Sequence, residues 1–238
     1  DKKIFIKDAF RDVFSTQLIY LRQKELAEGS VTLEELMYDS SDSSIADVEA
    51  HLKRAKKLVA GWEADFGKEM MTKEKAYINL TWSGDAVWAI EEAADVGVTL
   101  DYYVPDEGSN VWFDGWVIPK YAQNVKAARY FINFMCRSDI ALRNMDAIGY
   151  VSAVATPEVL EAKINDELES AIDASYFFGP GAEAVCVNPV MYPSRSTVER
   201  CGIMHDTDTE ALLKMWSRVK GDNASAWTYI LICLVFAG

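Results

Sequence analysis

The chain is 238 residues long, 50% hydrophobic and 26% charged, with a formal net charge of −13. That length holds one large domain or two small lobes around a substantial core. The acidity argues against nucleic acid or an anionic membrane surface as a partner and is compatible with a cationic solute.

Lys3 to Lys7 alternates as a short strand, and Asp8 then opens an amphipathic run in which Phe10, Val13, Phe14, Leu18 and Leu21 recur at helical spacing, ending near Gly29. Asp8 and Asp12 lie near its N-terminus, where free N–H groups and the helix dipole favour acids, and Asp8 is expected to cap it. Residues 31–43 read as a short helical turn and a polar loop. From Ile45 to Trp62, the spacing of Val48, Leu52, Ala55, Leu58 and Val59 predicts a second surface helix. Ala76 to Trp82 is a β-rich run that passes through Ser83-Gly84-Asp85 into a helical pattern over Ala86 to Ala94, which leaves Trp82 at the strand's C-terminal end.

Gly97 to Val104 reads as a further strand, Pro105 to Gly108 as a turn, and Val111 to Pro119 as a strand at hairpin-like spacing. Alternation in this last strand sets Trp112, Asp114 and Trp116 on one side and Val111, Phe113 and Val117 on the other. A carboxylate flanked by indoles suits a cationic, partly apolar ligand, and it equally describes a core strand with one capped acid. Asn124 to Met135 carries an apolar stripe, Ser138-Asp139 caps a helix running through Ala147, and Gly149 is placed as its C′ residue. Short helices over Pro157 to Leu168, an irregular segment from Tyr176 to Pro193 and a last amphipathic helix over Thr207 to Val219 follow. This alternation argues for α/β layers. Ala226 to Ala237 is uncharged, too short to span a membrane and too apolar to be left exposed, so an added strand or an intermolecular contact is expected there.

Chemistry-bearing residues are sparse. Cys136, Cys186, Cys201 and Cys233 form no CxxC pair and no zinc spacing with histidine, and Cys186 and Cys201 could close a loop of about fifteen residues in an oxidising compartment. His51 falls on a charged helix face and His205 in a loop, neither beside a partner motif, so no nucleophile is oriented for catalysis and the chain reads as no enzyme. The Asn223-Ala224-Ser225 sequon is given no role.

Several ordered motifs across residues 4–221 resemble the extracytoplasmic spermidine/putrescine-binding proteins of ABC importers. Arg11-Asp12-Val13-Phe14 is similar to that family's Arg-Glu-Val-Phe helix start, and Asn79 to Gly84 to its strand ending in Trp-Asn-Gly. Val111 to Pro119 resembles its aromatic-Trp-x-Asp-x-x-x-Ile-Pro, and Ala127 to Phe134 with Ala147-Ile148-Gly149-Tyr150 resembles the helix pair and Ile-Gly-Tyr that follow.

The resemblance implies a type II periplasmic-binding-protein fold: two hinged α/β lobes with the ligand in the cleft between them. It places residues 1–112 in the second lobe, 113–155 in a segment returning to the first lobe and 156–221 back in the second, with 222–238 an apolar tail. By motif match Asp12, Trp82, Trp112, Asp114 and Tyr150 fall on ligand-contact positions, and no metal or cofactor is needed. Trp116 has no matching role and is expected as packing on the far side of the hinge. The implied partners are a polyamine and the permease of an ABC transporter, in the periplasm or at the outer face of the bacterial inner membrane, with a homodimer through the tail as a further option.

Family members carry a segment before the position matched by Asp1, so the chain is expected to be a fragment lacking the opening part of the first lobe. Asp12 stands where Glu is common, and Val151-Ser152-Ala153 replaces a Pro-containing turn. Two alternatives stand beside this reading. One is a receptor of the same fold for ferric iron or another cation, suggested by adjacent Tyr102 and Tyr103 although strand neighbours point oppositely. The other is a non-binding interaction module.

Overall fold

The computed structural model describes residues 3–221. Strand β1 (Ile4–Lys7) is the middle of a three-stranded parallel sheet ordered β2-β1-β3, with β2 at Val59–Glu63 and β3 at Ile78–Leu80. Parallel neighbours need crossovers, and helices supply them. Helices α1 (Phe10–Leu21), α2 (Gln23–Ala27), α3 (Leu33–Tyr38) and α4 (Asp42–Ala55) connect β1 to β2, α5 (Gly67–Thr72) connects β2 to β3, and α6 (Ser83–Asp95) follows β3.

Beyond them, β4 (Ser109–Asn110) and β5 (Cys201–Gly202) form a two-residue parallel ladder. Between those two strands lie α7 (Val125–Met135), α8 (Ser138–Ile148), α9 (Pro157–Lys163), α10 (Ser175–Phe178) and α11 (Arg195–Val198). The last of the described helices, α12 (Thr209–Gly221), returns to pack on α1 and α4.

Apolar burial explains the arrangement. Val13, Phe14 and Leu18 of α1 are fully buried and meet Val48 and Leu52 of α4, Leu36 and Met37 of α3, and Leu212, Met215 and Val219 of α12. A second cluster gathers Ala174, Ala182, Val187 and Tyr192, with Val151, Leu160 and Phe178 packed on it. Tyr192 donates to Met145 Sδ at 3.5 Å, which ties this cluster to α8.

Several expectations hold: β1, β3 passing into α6, α7, α8 and α12; the helix expected from Asp8 to near Gly29 is broken at Arg22 into α1 and α2. Gly149 closes α8 in the left-handed region at φ 71°, a conformation that favours glycine. Thr32 and Glu35 form a reciprocal capping box on α3.

Others need correction. The helix expected over Ile45 to Trp62 ends at Ala55, and Val59 to Glu63 is strand β2, because these residues find open hydrogen-bonding edges on β1. Among the described residues neither Gly97 to Val104 nor Val111 to Pro119 is a strand: β4 pairs with distant Cys201-Gly202 instead of in a hairpin, and Val111 adds one backbone bond to Gly202 at 2.9 Å before the pairing ends. Asp8 does not cap α1, whose N-cap is Ala9. Its carboxylate instead accepts from Trp216 Nε1 at 2.7 Å and pairs with Lys220 at 2.7 Å, fastening α12 to the end of β1. Ser138 is the first residue of α8 rather than its cap, and its hydroxyl meets that of Thr156 at 3.0 Å. Cys186 and Cys201 are free thiols. The apolar stretch Ala226 to Ala237, the sequon and Cys233 lie outside the described residues.

Candidate functional site

Four of the five residues singled out from the sequence come together in a line. Asp12 sits in the first turn of α1 and Trp82 immediately precedes α6, where β3 ends, so both side chains project from the same end of the sheet. The Trp82 indole donates its Nε1–H to Asp12 Oδ2 at 2.7 Å. Trp112, two residues past β4, lies 6.3 Å from the Trp82 ring at an interplanar angle of 52°. Tyr150, one residue past Gly149, meets Trp112 edge-on at 6.1 Å. Asp114 does not join them: it is exposed and carries no hydrogen bond or ion pair among the described residues. Trp116 packs elsewhere, edge-on against Phe131 at 5.1 Å.

Two glycines make the Tyr150 position possible. A Cβ on Gly84 would stand 2.2 Å from the Tyr150 ring, and one on Gly149 would stand 2.9 Å from the Gly84 carbonyl oxygen, so the start of α6 and the end of α8 meet backbone to backbone. Burial, and secondly the charge of Asp85, push the Tyr150 phenol up to about 12, which keeps it a neutral hydroxyl. Burial also raises the Asp12 carboxyl above its ordinary range, with the Trp82 N–H and the Arg11 charge pulling it partly back.

Behind Trp82 lies a buried charge cluster that sequence reasoning missed. Lys7 ends β1 and is 3% exposed; its Nζ is 2.5 Å from Asp85 Oδ2, 3.5 Å from Glu63 Oε1 and 4.3 Å from the Trp82 ring centroid. Asp85, in the first turn of α6, also faces Lys68 at 3.4 Å and accepts from the Thr81 hydroxyl at 3.5 Å. One signal was available. Strands of a parallel sheet are covered on both faces, so a lysine inside one implies buried acidic partners.

Chemically, the line offers a carboxylate, three aromatic rings and a neutral hydroxyl. A carboxylate takes up an ammonium group by a charge-assisted hydrogen bond, while ring faces accept methylenes or a cation. Tyr102 and Tyr103 do not converge as a chelating pair: Tyr102 is half-buried, whereas Tyr103 is 69% exposed. Among the described residues, no group of three or more His, Cys, Asp or Glu gathers to hold a metal ion, and no helix is long and apolar enough to cross a membrane.

A carboxylate beside aromatic rings at the carboxyl ends of parallel strands is a common setting for binding a small solute. The chain belongs to the family of bacterial extracellular solute-binding proteins, whose match covers residues 20–171. It is similar to the spermidine/putrescine-binding periplasmic protein of Escherichia coli (strain K12), 28% identical over 158 residues that make up 65% of this chain and 42% of that one. The putrescine-binding periplasmic protein SpuD of Pseudomonas aeruginosa (strain UCBPP-PA14) is 27% identical over 150 residues, 60% of this chain and 35% of its own.

Among solved structures, the spermidine/putrescine ABC transporter substrate-binding protein PotD of Streptococcus pneumoniae strain Canada MDR_19A superposes with a TM-score of 0.62 at 24% identity, covering 92% of this chain and 58% of that one. A structure from Listeria monocytogenes gives 0.65 at 24% identity, covering 93% and 57%. The expected binding-protein fold is thus borne out. The chain spans less than half the length of these curated relatives.

Proposed function

We propose that this chain is part of an extracytoplasmic receptor that captures a polyamine between two lobes and hands it to the permease of an ABC transporter, acting by binding and not by catalysis. The observation that carries this reading is the contact line from Asp12 through Trp82 and Trp112 to Tyr150. Asp12 receives one ammonium group, Trp82 and Trp112 lie along the methylene chain, and Tyr150 adds its ring and hydroxyl. Asp114, exposed in the same stretch as Trp112, supplies the second carboxylate when the lobes close. Each cation–π contact contributes about 0.5–2 kcal/mol once water is excluded.

Residues 1–112 with α12 form one lobe in this proposal, and 113–155 begin the other. Packing of Leu160, Phe178 and Tyr192 with Val151 supports counting residues 156–192 with the latter. The names of the relatives support a periplasmic location and the polyamine class.

Calorimetric titration of the full-length protein with putrescine and spermidine tests the reading. Binding is expected, with a loss of tenfold or more in Asp12→Asn and in Asp114→Ala. Absence of heat and of tryptophan fluorescence change at millimolar polyamine would sink it.

A further inference from the structure

We propose that Lys7 is a specificity-determining residue: its ammonium stands as a resident cation at Asp85, where a third ligand ammonium would otherwise bind, and so restricts the site to diamines over triamines. The inference rests on the polyamine reading above.

Burying an ammonium is costly unless it is paired and hydrogen-bonded. Lys7 Nζ has Asp85 Oδ2 at 2.5 Å, Glu63 Oε1 at 3.5 Å and the Trp82 ring at 4.3 Å. Those three partners come from two places in the fold: Glu63 is the register partner of Lys7 on β2, while Trp82 and Asp85 are the N-cap and a first-turn residue of α6. Two carboxylates and an indole can hold the ammonium of a polyamine as they hold that of a lysine. The surroundings of Lys7 therefore form an ammonium site that adjoins the ligand line through a shared indole, and a side chain already fills it.

Charge complementarity sets the consequence. Asp85 is neutralised by Lys7 on one oxygen and faced by Lys68 on the other at 3.4 Å. Glu63 is held by Lys7 and by the Gly67 N–H at 3.1 Å. Asp12, by contrast, has the Trp82 N–H as its hydrogen-bond donor, while the neighbouring Arg11 guanidinium is turned to Asp206 at 3.0 Å. Asp12 and exposed Asp114 are thus the carboxylates left for an incoming ligand, which matches two ammonium groups. A third ammonium along the rings would meet the charge of Lys7 across Trp82, whose π-system already holds a cation.

The test is calorimetry on the full-length protein with putrescine and spermidine. Wild type is expected to bind putrescine at least tenfold more tightly than spermidine. In the double variant Lys7→Met with Glu63→Gln, one positive and one negative charge are removed together, and methionine, one atom shorter, vacates the Nζ position. Spermidine is then expected to gain at least tenfold relative to putrescine, and adding Asp85→Asn should erase that gain. A folded double variant whose ratio stays within twofold of wild type overturns the inference, as does a gain that survives Asp85→Asn. Should the variants fail to fold, wild type alone decides: a preference for spermidine overturns the role of Lys7. Binding of neither amine by wild type overturns the polyamine reading itself.

Discussion

Trp82 and Asp12 are seventy positions apart in the chain and joined by one hydrogen bond, Nε1–H to Oδ2 at 2.7 Å, that fixes the indole at the edge of the candidate site. Trp82→Phe keeps the ring but leaves a partly buried carboxylate without its donor. We expect a loss of about 1–3 kcal/mol in stability. Urea unfolding of the full-length protein measures it; an unchanged midpoint would show that water replaces the indole at no cost.

Asp12 also sets a pH dependence. Burial raises its carboxyl above the ordinary range, opposed by the Trp82 N–H and Arg11. Because the folded value is raised, the stability this group contributes is fully present below the unfolded-chain value and is lost as pH climbs through the folded one. Amine affinity runs the other way, since only the carboxylate pairs with an ammonium. Titrations between about pH 4 and 7 should show affinity rising with pH, and this rise should vanish in Asp12→Asn.

Gly84→Ala places a methyl group 2.2 Å from the Tyr150 ring, and the nearby Gly84 carbonyl is itself pressed against Gly149. Tyr150 must swing away. A stability loss of about 1–3 kcal/mol from overpacking is expected. Near-ultraviolet circular dichroism should report the altered Trp112–Tyr150 contact, and polyamine affinity should fall with it.

Thr32→Ala removes one half of the capping box at the start of α3, where the Glu35 N–H loses its acceptor. The expected cost is about 0.5–2 kcal/mol in urea unfolding. Polyamine affinity should stay as in wild type, because the hydrogen bonds of Thr32 and Glu35 are made to each other and to no residue of the Asp12–Tyr150 line; a drop in affinity would argue that α3 takes part in binding.

The sequence by itself determined the elements whose signals are local. Helical spacing located α1, α7, α8 and α12, the run into Ser83-Gly84 located the β3-to-α6 turn, and Gly149 marked the end of α8 where a left-handed residue was needed. Trp82, Trp112 and Tyr150 were legible through their match to the motifs of the polyamine-binding family, and Trp112 also as an aromatic neighbour of Asp114. Tertiary structure decided the rest, for one physical reason: strands and buried charges are defined by partners far away in the chain. Val59 to Glu63 became a strand because β1 offered it an edge, while the aromatic run at Val111 to Pro119 keeps a single backbone bond to β5, from Val111, and forms no ladder among the described residues. Asp8 left its expected cap for Trp216 and Lys220 on α12. Lys7, a lysine inside a strand, signalled at most that acidic partners exist, and folding alone identified them by bringing Glu63, Trp82 and Asp85 around a single ammonium.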